Sequence, residues 1–183
     1  MNILLVVTHP NKDSLTFAVM QRFLAGLQTN EHNVDVIDLY RHSFDPALSE
    51  EDEPAWKLKG KQFSPEIQKE MERIQLADAL VFIFPLWWYS MPAMLKGYFD
   101  KVVNFKFNGQ KKLLWITLAG ATKHHLVKYG NHQLISQYFN QTIAGWLQAG
   151  ESSTEFLYDT LSGSKVHIQS LLDEAFQMGK QYR

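Results

Sequence analysis

Cysteine is absent from the 183 residues. That excludes disulfides, thiolate nucleophiles and thiolate metal sites, so any redox chemistry must come from a bound cofactor. Charge of one sign is missing too. Eighteen basic and 19 acidic side chains leave a net charge of −1, which gives no general reason to expect nucleic acid or a membrane surface as partner. An anion would have to be held by a local arrangement. No run approaches the ~18 apolar residues of a membrane span. The first residues, MNILLVVTHPNK, have too short an apolar run for a signal peptide and no basic leader. Cytoplasmic localisation, with no direct membrane insertion, is the resulting expectation. Glycine-rich phosphate motifs, G-x-G-x-x-G and G-x-x-x-x-G-K, are likewise missing.

What is present is average in bulk and unusual in one place. The chain is 45% hydrophobic and 20% charged, close to globular norms. Its length suits one substantial core and a single domain over 1–183. Aromatic content reaches 13%, with five tryptophans, which suggests a flat ligand or an aromatic interface.

Four apolar runs read as buried strands: Ile3–Thr8, Val34–Leu39, Ala79–Phe84 and Leu113–Ala119. Glu155–Tyr158 is a weaker fifth. Helical patterns alternate with them. The first follows a Ser14 cap, with Met20, Phe23, Leu24 and Leu27 on one face. The second opens at Ser64-Pro65 and carries Ile67, Met71 and Ile74. The third starts at Pro92, the fourth spans 133–148 and the fifth 165–180. This alternation predicts an α/β three-layer sandwich. Its parallel five-stranded sheet would have the flavodoxin-like order 2-1-3-4-5, with helices on both faces. A ligand should lie at the carboxyl ends of strands 1, 3 and 4, where the winding direction switches. One long connection, 38–64, interrupts the pattern and contains the acidic run 50–53 before Pro54. That run reads as a solvated surface.

Two loops carry chemistry. After strand 1, THPNKDSLTF offers the hydroxyls of Thr8, Ser14 and Thr16 and the donor or positive groups of His9 and Lys12. The next helix starts there, and a helix N-terminus is a ready anion seat. The plain alternative is a turn at His9-Pro10 with Ser14 as a simple cap. After strand 3 comes Pro85-Leu86-Trp87-Trp88-Tyr89-Ser90-Met91-Pro92. Prolines at both ends make this a stiff bridge. Its aromatic rings close the core, or border a flat π-system or another subunit.

The stretch PLWWYSMPAMLKGYFDKV resembles the P-L-x-W-[FY]-x-x-P-x-x-L-K-x-[WYF]-x-[DE]-[KR]-V signature of the NAD(P)H:quinone reductase family. DT-diaphorase, the modulator-of-drug-activity reductases and the ancillary reductases of potassium-efflux systems belong to that family. Pro85, Leu86, Trp88, Pro92, Leu95, Lys96, Asp100, Lys101 and Val102 are in place. ILLVVTHPNKDSLTFA and LLWITLAGA resemble its first strand and loop and its T-T-G-G stretch.

The resemblance implies a flavin-dependent NAD(P)H:quinone oxidoreductase. FAD or FMN would be bound non-covalently, with NADPH or NADH as electron donor. A quinone or related small molecule would be the acceptor, in a homodimer with each flavin at the subunit interface. His9, Leu15 and Thr16, with Ser14 beside them, would meet the phosphates. Leu86, Trp87, Trp88 and Tyr89, following Pro85, would border the isoalloxazine. Thr117, Leu118, Ala119 and Gly120 would lie along its pyrimidine side. The alternative reading is a flavin-binding accessory subunit of a membrane potassium-efflux transporter.

Three departures qualify the likeness. Ala119 stands where a glycine is usual, which could hinder close approach to the flavin. The loop VVNFKFNGQKK is short, with Phe105 and Phe107 nearest to the family's substrate-facing aromatics, so a more open pocket is expected. The Tyr and His that follow the glycine pair, proposed to handle charge or protons, have candidates in Tyr129, His132 and His125. A metal site from His124, His125 and His132 is disfavoured, because adjacent histidines point apart and no carboxylate is near.

Overall fold

In the computed structural model, residues 1–53, 60–103 and 105–183 are described. Pro54, at the end of the acidic run, lies outside them. Five parallel strands form one sheet in the order β2-β1-β3-β4-β5. They are β1 (Asn2–Val7), β2 (Asn33–Asp38), β3 (Ala79–Pro85), β4 (Lys112–Leu118) and β5 (Glu151–Leu157). The expected flavodoxin-like sandwich is the observed one.

The central strands are apolar on both faces because both faces are covered. On one side Leu4, Val6, Phe82, Phe84 and Trp115 pack under helices α2 (Pro65–Leu76) and α3 (Ala93–Val102). On the other, Ile3, Leu5, Val7, Ile83 and Ile116 pack under α1 (Leu15–Leu27) and the last helix (Lys165–Gln181). Among the described residues no helix is long and apolar enough to cross a membrane.

β5 begins four residues earlier than its sequence pattern suggests. Its first half alternates exposed Glu151, Ser153 and Glu155 with half-buried Ser152 and Thr154. Such an edge strand carries no apolar signal. The fourth helical region is also divided. Short α4 (Lys123–Lys128) is capped by the Thr122 hydroxyl, which accepts from the His125 N–H at 3.2 Å. Gly130, at φ 74°, then breaks the path before α5 (Asn131–Gln137). A π-helical turn, Tyr138–Ile143, leads into α6 (Ala144–Leu147). In that wide turn Phe139 enters the core against Trp115, while Asn140 Oδ1 accepts from the hydroxyls of Ser152 and Thr154 at 2.8 and 3.1 Å. Two consecutive residues thereby both serve the sheet, which a regular α-helical turn does not readily allow.

The acidic run is not wholly a solvated surface. Asp52 is buried, and its carboxylate accepts from the Ser64 N–H at 3.1 Å and the Ser49 hydroxyl at 3.0 Å. It therefore ties the long connection to the start of α2.

Helices α1 and α7 (Lys165–Gln181) meet backbone to backbone through Gly26 and Gly179. A Cβ on Gly179 would stand 2.1 Å from the Phe23 carbonyl oxygen. Gly179→Ala is expected to lower stability by about 1–3 kcal/mol through overpacking, measurable by urea unfolding. An unchanged midpoint would show that the helices can separate freely.

Candidate functional site

The carboxyl ends of β1, β3 and β4 lie together because the register aligns them: Val7 beside Ile83, and Pro85 beside Leu118. Their loops enclose a cleft of about 630 Å³. His9, Ser14, Leu15 and Thr16 line it from the first loop. Pro85, Leu86, Trp87 and Trp88 line it from the third, and Leu118 and Gly120 from the fourth. The sequence placed all of these in one site.

The first wall is the loop after β1 and the first turn of α1. His9 Nδ1 accepts from the Asn11 N–H at 3.0 Å, and Asn11 Oδ1 accepts from the Asp13 N–H at 2.9 Å, which folds the loop onto itself. Ser14 is the N-cap of α1 by position, yet its hydroxyl bonds to no helix N–H. Its Oγ and the Oγ1 of fully buried Thr8 are buried without a hydrogen-bond partner among the described residues. Among the described residues the N–H groups of Leu15 and Thr16 have no acceptor either, as expected for the first turn of a helix. Orphaned buried donors are rare and call for an explanation. A phosphate in the cleft would satisfy Ser14 and the two N–H groups at the positive end of the helix dipole.

The second wall is a strained turn. Trp88 and Tyr89 both adopt left-handed backbone, at φ 50° and 61°. The Ser90 N–H closes the turn onto the Trp87 carbonyl at 3.1 Å. Asn-Gly normally occupies such a turn, and each bulky residue there costs roughly 1–3 kcal/mol. The turn sets Trp88 almost wholly in solvent, 95% exposed, and Trp87 against the His9 ring at 5.7 Å. The aromatic segment therefore does not close the core.

Three expected cofactor-binding residues do not line the cleft. Tyr89 is half exposed on the turn. Thr117 is buried and donates its hydroxyl to the Glu155 carbonyl at 3.1 Å. Ala119 is buried in the core, and its N–H is bound to the Leu157 carbonyl at 2.8 Å. The methyl that replaces a glycine hydrogen thus sits in the core, away from the cleft wall. Phe107 is also core, and only Phe105 stays partly open.

None of the three proton-handling candidates lines the cleft. His125 on α4 pairs with Tyr129, the residue that caps its C-terminal end, with ring centroids 4.8 Å apart. His132 rests on the aromatic shelf of Phe156 and Tyr158, at 4.6 and 6.3 Å. Burial, then the carboxylates of Glu155 and Glu174, push the Tyr158 phenol above its ordinary value.

Sequence reasoning missed Thr160 and Leu161, which complete the cleft from the loop after β5. The Asp159 and Thr160 N–H groups bond to the Ala121 and Ala119 carbonyls at 3.0 and 3.1 Å, so this loop is fastened beside the fourth. The available signal was positional, since the carboxyl end of β5 lies next to that of β4.

The family model for the flavodoxin-like fold matches residues 1–180. The chain belongs to this family. An uncharacterized NAD(P)H oxidoreductase, YcaK, of Escherichia coli (strain K12) is 37% identical over 188 residues, covering 96% of this chain and 95% of the relative. NAD(P)H dehydrogenase [quinone] 1 of Cavia porcellus is 30% identical over 153 residues, covering 68% of this chain and 56% of its own length. Among solved structures, an NAD(P)H:quinone oxidoreductase from Methanothermobacter marburgensis superimposes with a TM-score of 0.87. It is 28% identical, and the match covers 98% of this chain and 96% of that one. These relatives place the family among NAD(P)H oxidoreductases, quinone reductases included.

Proposed function

We propose that this chain is a flavin-dependent NAD(P)H:quinone oxidoreductase working by two-electron, ping-pong hydride transfer. The carrying observation is the cleft itself. It joins three unsatisfied donors at a helix N-terminus, the Ser14 hydroxyl and the N–H groups of Leu15 and Thr16, to an exposed aromatic turn, a pairing that suits a phosphate tail joined to a flat ring. FMN or FAD, when bound, supplies the hydride-accepting and hydride-donating chemistry.

The chain's own groups have separate tasks. Ser14 and the N–H groups of Leu15 and Thr16 would hold the phosphate. Leu86, Trp87 and Trp88 would border the ring, on a turn closed by the Ser90 N–H onto the Trp87 carbonyl. The cleft is open on its outer side, so nicotinamide and quinone can enter by turns. Tyr129 and His132, or His125, none of which lines the cleft, would stabilise charge or deliver protons from outside it.

In this reading the whole chain is one such domain, acting in the cytoplasm with NADPH or NADH as donor. A homodimer would cover the exposed rings of Trp88 and Tyr129 and the exposed Leu134. The purified protein should carry a yellow chromophore identifiable by mass as FMN or FAD. Anaerobic NAD(P)H should bleach it, and a quinone should restore the colour. A colourless protein that binds neither FMN nor FAD would end this reading.

A further inference from the structure

Arg41 does not line the cleft, yet it holds the loop that forms the anion seat. It sits on the turn after β2, brought alongside by the Leu39 N–H, which bonds to the Val7 carbonyl at 3.2 Å. Its Nη1 donates to the His9 carbonyl at 3.2 Å and to the Asp38 carboxylate at 2.9 and 3.1 Å. Its Nη2 donates to the Pro10 carbonyl at 2.6 Å. The guanidinium also lies over the Phe17 ring, 5.0 Å from its centroid, in the first turn of α1. One side chain thus joins the end of β2, the first loop and the helix whose N-terminus faces the cleft.

The physical need is specific. Two carbonyl oxygens, of cleft-lining His9 and of the Pro10 that follows it, belong to the loop that leads to the proposed anion seat. Free to rotate, they would present negative ends toward it. Pro10 has no N–H with which to brace the loop from within. A planar fork can hold two carbonyls and a carboxylate in one geometry, whereas an ammonium cannot. Asp38 offsets most of the cation's charge, so the contribution of Arg41 comes from geometry more than from field.

We propose that Arg41 is a positioning residue that makes the first loop select phosphorylated flavins over riboflavin. This rests on the flavin reading above. The test is titration of apoprotein with FMN, FAD and riboflavin, followed by flavin fluorescence, for wild type, Arg41→Ala and Arg41→Lys. Apoprotein melting is measured alongside.

Arg41→Ala should weaken binding of the phosphorylated flavins about 10- to 100-fold, the scale of a lost charge-assisted clamp. Riboflavin affinity should stay within about 2-fold. Arg41→Lys should resemble alanine. Wild-type affinity in Arg41→Lys would mean that charge alone matters, and would overturn the assignment. An equal loss for all three ligands, or an unchanged preference, would overturn it too, and would leave the flavin reading intact. A wild-type protein that binds no flavin removes both.

Discussion

Glu70→Ala should lower the unfolding free energy by about 3–5 kcal/mol, the range for breaking a buried ion pair from one side. For a chain of this size that is a fall of roughly 6–20 °C in Tm. Glu70 lies on α2 and is almost completely buried. Its Oε1 accepts from Arg73 Nη1 and His42 Nε2, both at 3.0 Å, and its Oε2 accepts from the Tyr98 hydroxyl at 3.2 Å. Arg73 in turn donates to Asp35 at 2.7 and 2.8 Å. One carboxylate therefore links the turn after β2, α2 and α3. Alanine would leave a buried phenol without an acceptor and an arginine with half its partners. Tyr98→Phe removes only one donor and should cost about 1 kcal/mol.

The same cluster has an alkaline signature. Burial first, and then the charge and hydrogen bond of Glu70, hold the Tyr98 phenol well above its ordinary value of 10.0. The unfolded chain ionises this group near 10, and the folded chain only well above it. The contribution is therefore complete below pH 10 and declines as pH rises beyond it. Tyr98→Phe should flatten that decline. Denaturant melts of the variants at pH 7 and pH 10.5 measure both effects. If Glu70→Ala unfolds with the wild-type midpoint, the cluster does not hold α2 against α3.

Glu70 also shows where the sequence stops being informative. On the α2 pattern it reads as one more charged residue of a solvated face. Its burial follows from His42 and Tyr98, 28 residues away on either side. No local pattern reports such partners. The strands were legible for the opposite reason. β1, β3 and β4 are buried on both faces, so each is apolar over nearly its whole length. The polar first half of edge strand β5 hid its start.

The cleft was legible in its residue types but not in its strain. Trp88 and Tyr89 are among the last residues expected at positive φ, where glycine and asparagine are the usual signal. Thr160 and Leu161 were missed because they follow the least legible strand. The proton-handling candidates could not be ranked from spacing. The structure pairs His125 with Tyr129 at the end of α4 and sets His132 on a separate aromatic shelf.

Ser14→Asp should act in opposite directions on two measurements. Aspartate is as good an N-cap as serine, and its charge at the positive end of α1 is worth roughly 0.3–1 kcal/mol. Ser14 forms no side-chain cap bond in the structure, so nothing is lost on that account. The apoprotein Tm should therefore hold, or rise by a few degrees. Binding of FMN or FAD should collapse. A carboxylate about 4 Å from a phosphate, at an effective dielectric near 20, repels it by about 4 kcal/mol, which is roughly 10³-fold in affinity. Riboflavin, lacking the phosphate, should bind nearly as before. Calorimetric titration together with thermal melting separates these outcomes. Unaltered FMN and FAD affinity would place the phosphate elsewhere, and a large fall in apoprotein Tm would make Ser14 a structural cap after all. The expected pattern follows from the unsatisfied hydroxyl itself. The first turn of α1 forgoes a stabilising cap, and its free donors are what an anionic tail requires.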